Sequence, residues 1–290
     1  MTAVEWVPLS RRLEGLGPEV PVEGVPEYLA GELQMWLLNQ FAGYRRLEGE
    51  LRLRLRLQGS LHGKYGDDLL DVVDAFLYWN PDSVWDDGEE DDDVVDLTLE
   101  QEAAWQSEVD AWKARAGEVE EILRTGGSAW RVNRRLNGLE RRIDETVTAA
   151  VDMAAKTAQE EAADHLATAW RAAYGRDPDP DKAYNEAVKA VEALACPLVC
   201  PNNSRGTLGT VIRDLRNQTT SWELAIGDSA GQPSSIDRLV GMLELLWQGQ
   251  SRHAGGPNSR RQTQVEAEAS VHLAATLLQW LTSAVLRRKS

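Results

Sequence analysis

The residues best suited to chemistry are an adjacent arginine and histidine, Arg252 and His253, which are followed by Gly255 and Gly256. Glycine lets a backbone approach a ligand closely because it has no Cβ. A neighbouring cation favours the neutral imidazole, which is the form that accepts a proton near pH 7. The pair therefore suggests His253 as a general base. The alternative is a turn that ends a helix and carries two solvated basic side chains.

Two apolar helices are predicted on either side of this turn. The first carries Leu239, Leu243 and Trp247, and the second runs from about Val265 to Trp280. Their apolar residues recur at the spacing of a helix face that is buried. The turn is therefore expected at the ends of two packed helices.

The chain as a whole is predicted to be mainly α-helical with one small β-hairpin. Its 290 residues exceed what one hydrophobic core usually holds, so we expect two domains, residues 1–145 and 146–290. The hairpin is placed at about 128–143 because Asn137-Gly138 separates two short alternating segments. A long alanine-rich helix is expected over 144–174 and opens the second domain.

Local patterns set several element boundaries. The segment Leu51–Leu57 alternates leucine and arginine, which is a strand pattern, but both residues favour helices and we predict a helix. Asp67 or Asp68 is expected to cap the following helix. Pro197 is expected to end another helix, and residues 222–233 are expected to form a loop.

Negative charge is concentrated in the first half of the chain. The net charge is −16, and residues 1–145 hold 16 basic and 31 acidic side chains, against 15 and 16 in residues 146–290. An acidic surface repels phosphate, so nonspecific nucleic-acid binding by the first half is not expected. Seven of the eight residues at 86–93 are acidic, which indicates a solvated loop.

The densest basic cluster lies in the predicted hairpin. Its members are Arg131, Arg134, Arg135, Arg141 and Arg142. Arg131, Arg135 and Arg141 are candidate contacts for a phosphate or an acidic partner. The alternative is a solvated basic face.

Neither a metal nor a cofactor is expected. Cys196 and Cys200 have no further cysteine or histidine nearby, so they make a poor zinc site and are better explained as buried small side chains. Motifs for nucleotide or zinc-hydrolase chemistry are absent. Without an apolar stretch of membrane length or a secretory signal, the expected location is the cytoplasm.

The other three histidines have structural explanations. His62 is expected in a loop, His165 on a half-buried helix face, and His272 as a hydrogen-bonded histidine of the core.

Four short segments of the second half share one resemblance to known proteins. The segments are Tyr184 to Ala193, Thr207 to Ile212, Ser251 to Gly255 and Ala267 to Ala274. They resemble abortive-infection C-terminal domains, which are similar to the HEPN superfamily, and the resemblance covers about residues 180–285. It implies a four-helix bundle, frequently dimeric, of a kind that often serves as a metal-independent ribonuclease in phage defence or toxin systems.

The catalytic pattern of that superfamily is an arginine, four to six residues, and then a histidine. Counting back from His253, the three eligible positions hold Gln248, Trp247 and Leu246, and none is arginine. If activity persists, the resemblance implies that His253 acts as base on a ribose 2′-hydroxyl while Arg252 holds the phosphate. Gln248 and Trp247 are then candidate binding residues.

Three functions follow, of which the third is a small-ligand sensor whose pocket is lined by Trp247, His253 and Trp280. The first is an RNA-directed defence or toxin-type protein that acts as a metal-independent endoribonuclease, with RNA as partner. The second is a non-catalytic module in which the C-terminal helices pair with another copy to form a homodimer, which suits the missing arginine and the acidic first half.

Overall fold

The computed structural model describes residues 21–79, 99–203, 205–227, 231–249 and 260–289. Within them the chain is mainly helical, as predicted. Two compact units are present, Met1–Arg142 and Ile143–Ser290. The acidic segment at 86–93 and the turn with Arg252 and His253 lie outside the described residues.

The first unit consists of four helices and a hairpin. The alternating leucine and arginine segment is helical up to Arg54, as predicted, and the predicted hairpin is also confirmed, with Val132 opposite Leu139. The elements are α1 (Glu27–Gly43), α2 (Arg45–Arg54), α3 (Gly66–Tyr78), α4 (Leu99–Thr125), β1 (Trp130–Val132) and β2 (Leu139–Arg141).

An aromatic cluster fills the core of the first unit. Phe76 of α3 has no solvent exposure and meets Trp36, Phe41 and Trp112, with ring centroids 5.4, 5.7 and 5.5 Å away. The first two contacts are edge-on and the third is stacked, which are favourable aromatic geometries. Phe76 therefore joins α1, α3 and α4.

One helix start in this unit differs from the prediction. Helix α3 begins at Gly66, and neither Asp67 nor Asp68 caps it, because both already lie in its first turn. Gly66 has a φ of 57°, a left-handed conformation that glycine adopts without strain. In the first turn, the two carboxylates still interact favourably with the positive end of the helix dipole.

The second unit is a helical bundle with a small sheet. The sheet has the strand order β4-β3-β5, and all its pairs are antiparallel. The elements are α5 (Glu145–Thr157), α6 (Glu160–Tyr174), α7 (Pro180–Val199), α8 (Leu208–Asn217), a short 3₁₀ turn, β3 (Trp222–Gly227), β4 (Pro233–Ser234), α9 (Asp237–Gly249), α10 (Gln264–Thr282) and β5 (Leu286–Arg288).

Helix α7 lies at the centre of the bundle. Its alanines at 183, 187 and 190 have no solvent exposure, and the helix packs against α6, α8 and α10. Small side chains let helix axes approach closely, so this alanine face permits several neighbours around one helix.

The predicted long helix over 144–174 is wrong, because the chain breaks into α5 and α6. Ala158 and Gln159 are extended, with ψ of 163° and 153°. The Thr157 hydroxyl donates to the carbonyls of Met153 and Ala154 at 2.9 and 3.3 Å, which occupies acceptors at the helix end. The helix propensity of alanine would favour one continuous helix, but the break lets both helices pack on α10, and this packing decides the structure.

Two further expectations for the second unit are wrong. Helix α7 continues past Pro197 to Val199, and the Cys200 N–H closes its last turn on the Cys196 carbonyl at 2.9 Å. Residues 222–233, expected as a loop, contain β3 and reach β4, so the protein has a second sheet. The pairing of Leu224 with Leu286 joins distant parts of the chain and leaves no local sequence signal.

Replacing Phe76 with alanine should lower the free energy of unfolding of the first unit by about 3–5 kcal/mol, because a buried aromatic leaves a cavity. Leu53→Ala is the matched control, since Leu53 is 80% exposed, and it should change stability by less than about 0.5 kcal/mol. Urea denaturation of the two variants checks this. Similar midpoints for both would contradict the assigned core.

Candidate functional site

Gln262 joins the described residues that lie on either side of segment 250–259, which contains Arg252 and His253. Its backbone N–H donates to Asp181 Oδ1 at 2.8 Å, and its side-chain Nε2 donates to the Gly249 carbonyl at 2.7 Å. The side chain is buried, at 6% exposure. The last residue of α9 and the approach to α10 are therefore both tied to the start of α7.

Tyr184 of α7 closes the same end of the bundle. Its hydroxyl donates to the Leu245 carbonyl at 3.4 Å. A Cβ at Gly249 would lie only 2.0 Å from that hydroxyl oxygen, so the position requires glycine. Burial, reinforced by Glu266, raises the pKa of Tyr184, so the phenol stays neutral.

Asp181, Tyr184, Gly249 and Gln262 together form a clamp at this end of α7. A capping box starts α10 next to the clamp. The Thr263 hydroxyl accepts from the Glu266 N–H at 3.3 Å, and the Glu266 carboxylate accepts from the Thr263 N–H at 2.9 Å. Arg260 binds both carboxylate oxygens of Glu266, at 2.8 and 2.5 Å. These bonds, led by that from Arg260, lower the pKa of Glu266 to about 2.

A polar cleft of about 840 Å³ opens beside Gln262, at the start of α7. Four acidic and three basic side chains line it, so it has no excess of positive charge to attract a polyanion. The charged residues are Asp177, Asp179, Asp181, Glu186, Lys182, Lys189 and Arg261.

His165 is paired with a carboxylate at the edge of this cleft, an arrangement that the sequence did not reveal. Its Nδ1 lies 2.6 Å from Glu186 Oε2, and Lys189 donates to Glu186 Oε1 at 2.8 Å. Burial alone would raise the pKa of Glu186, but the bonds from Lys189 and His165 outweigh it and lower the pKa. Glu186 therefore stays ionised and orients the imidazole, as carboxylates do in many catalytic and metal sites.

The three positions eligible for a catalytic arginine have different surroundings. Leu246 has no solvent exposure and belongs to the core, while Gln248 is exposed. Trp247 is half-buried and lies against Gly209 of α8, where an added Cβ would meet its ring at 2.6 Å. Trp247 thus packs α9 onto the helix that begins with the Thr-Leu-Gly segment.

The basic cluster of the first unit is largely matched by acidic side chains of the same unit. Arg131 binds Glu140 at 2.6 Å, and Glu140 is buried. Arg141 binds Glu23 at 2.7 Å, and both are exposed enough that the pair contributes little stability. In the hairpin loop, Arg134 and Arg135 also interact with other residues. Arg142 binds Glu120 at 3.0 Å.

The two cysteines and the remaining two histidines have local explanations in the structure. Cys196 and Cys200 are free, and burial, followed by the charges of Cys200 and Glu192, raises the pKa of Cys196 to about 12, which disfavours the thiolate form. His272 is hydrogen-bonded to Tyr174 at 2.7 Å, and His62 lies in a turn.

The described part of the chain contains no group of three or more His, Cys, Asp or Glu side chains placed to hold a metal ion. None of its helices is both long and apolar enough to cross a bilayer. In comparisons with known proteins, no family model, curated protein or solved structure matches this chain.

Replacing Glu266 with glutamine should destabilise the second unit at neutral pH and have no effect in strong acid. The folded-state pKa, about 2, lies below the ordinary carboxyl value of about 4.3, so the stabilisation is complete above the latter and disappears as pH falls through the former. Urea denaturation of both proteins from pH 7 to pH 2 measures it. A stability difference that is independent of pH would contradict the assignment.

Proposed function

We propose that the second unit is a HEPN-like helical module that pairs with a second copy of the chain and does not itself cleave RNA. The observation that carries this proposal is the packing of Trp247 on Gly209. The superfamily's arginine would stand at one of three positions, and here they hold a core leucine, this tryptophan and an exposed glutamine. A tryptophan ring committed to packing cannot stabilise a phosphate charge as a guanidinium does.

Exposed apolar side chains near the clamped end support pairing through the C-terminal helices. Leu245 on α9 is 68% exposed and Val265 at the start of α10 is 75% exposed. Single exposed apolar residues are common, so their weight comes from their place on α9 and α10, the C-terminal helices for which we propose the pairing.

The pairing is tested by measuring molar mass in solution. The wild-type chain should elute as a dimer, and the double variant Leu245→Asp, Val265→Asp should elute as a monomer, because two buried carboxylates oppose association. Met153→Asp is the control, since Met153 is 55% exposed on α5, and this variant should remain dimeric. A monomeric wild-type chain at high concentration would rule out pairing.

The second candidate is a metal-independent endoribonuclease in a defence or toxin system, with His253 as base and Arg252 on the phosphate. The contacts of Gln262 favour it, because Gly249 and Gln262, which lie on either side of the segment that contains both residues, are joined beside a polar cleft. Positioning of a base relative to its substrate contributes strongly to catalysis.

The ribonuclease candidate predicts cleavage of RNA by the pure chain in the presence of a chelator. His253→Ala should then lower the rate by at least about a hundredfold, the usual contribution of a general base. His62→Ala, which changes a histidine in the other unit, should leave the rate unchanged. Intact RNA after prolonged incubation with the wild-type chain would eliminate this candidate and leave the pairing proposal in place.

A further inference from the structure

A groove of about 260 Å³ lies between α5 and α10, away from the clamp formed by Gln262. Val147, Ala150, Val151 and Ala275 give it apolar walls, and His272 and Gln279 are among its polar residues. An apolar cavity of about 150 Å³ holds benzene, so this groove accommodates a molecule of about ten heavy atoms.

The hydrogen bonds around His272 define what the ring can offer. His272 Nε2 lies 2.7 Å from the Tyr174 hydroxyl, and no other described residue bonds that hydroxyl. Tyr174 is 2% exposed, and a buried hydroxyl must donate its hydrogen to the partner that it has. Nε2 is therefore the acceptor, and an imidazole whose Nε2 accepts carries its hydrogen on Nδ1.

Two further interactions involve the ring and its partner Tyr174. Trp170 stacks on His272 with an interplanar angle of 15° and a centroid distance of 6.5 Å. Burial, with a contribution from Glu268, strongly raises the pKa of Tyr174, so the phenol keeps its proton. The ring therefore has a fixed plane and one remaining donor, Nδ1–H.

The other polar atoms of the groove are partly used by the protein itself. Gln279 Nε2 donates to the Ala150 carbonyl at 3.0 Å, which leaves its Oε1 as an acceptor. The Thr276 hydroxyl donates to the His272 carbonyl at 3.0 Å. None of the eight lining side chains carries a fixed charge.

From this arrangement we propose that the groove between α5 and α10 binds a small neutral molecule with an apolar body and a carbonyl or amide group. Its carbonyl accepts from His272 Nδ1–H, and an N–H of the ligand donates to Gln279 Oε1. The apolar body lies against Val147, Val151 and Ala275. A charged ligand is disfavoured because the groove provides no counter-charge to offset its desolvation. This site is independent of the function proposed above.

Benzamide and benzoate are the probes, because they share a ring and differ in charge. Titrated into ¹⁵N-labelled protein at millimolar concentration, benzamide should shift amide signals at 146–151 and 272–279. Benzoate should bind at least about tenfold more weakly, which corresponds to about 1.4 kcal/mol. An absence of shifts with benzamide, or shifts confined to other residues, would overturn the site. Equal affinity for benzoate would overturn the preference for neutral ligands.

Ala150→Phe should weaken benzamide binding by at least about tenfold, because the new ring enters the groove. Ala150 is exposed, so the change spares the core. Ala149→Phe is the matched control on the neighbouring exposed position, which does not line the groove, and it should bind as the wild type does. Unchanged binding to Ala150→Phe, with its fold verified by its amide spectrum, would overturn the proposal.

Discussion

The second unit depends on the alanine face of α7. Ala183, Ala187 and Ala190 are fully buried and allow α6, α8 and α10 to pack around one central helix. A larger side chain at any of them would push a neighbouring helix outward, and overpacking of this kind typically costs about 1–3 kcal/mol. The positions of the clamp and of the groove both follow from this packing. The clamp is formed in part by α7 itself, and one wall of the groove is α10, which packs against α7.

The clamp around Gln262 and the groove between α5 and α10 differ in the groups that form them. At the start of α7, Asp181 accepts from the Gln262 backbone N–H, and the Tyr184 hydroxyl donates to the Leu245 carbonyl. The Gln262 side chain in turn donates to the Gly249 carbonyl. Backbone groups at helix ends need such partners, and here the partners also fix the described residues on either side of 250–259. The α5–α10 groove, by contrast, is bounded by small side chains and a stacked histidine. One region therefore fixes a backbone, and the other leaves room for a ligand.

Sequence patterns predicted the features that depend on neighbours along the chain. Apolar spacing indicated the helices, and Asn137-Gly138 marked the hairpin. Two of the errors fall where distant residues decide. The break at Ala158 serves packing on α10, and β3 pairs with a strand more than sixty residues away. No local pattern carries that information.

The same distinction applies to the candidate site residues. His272 was expected as a hydrogen-bonded core histidine, and its partner Tyr174 lies 98 positions away, so only the fold could identify it. The basic residues near the hairpin were considered as a surface for phosphate, whereas Arg131 and Arg142 bind Glu140 and Glu120. An acidic unit supplies such partners readily, and a composition count does not show which charges meet.

The contact between Trp247 and Gly209 is the observation on which the proposed function depends. A count from His253 shows only that arginine is missing; the structure adds that Trp247 occupies space that any side chain at 209 would need. The two residues are therefore complementary, and restoring arginine at 247 would remove a packed ring as well as introduce a cation. Because an interface between α8 and α9 now depends on the ring, this position serves the fold. That commitment supports the pairing that we propose for the second unit over catalysis.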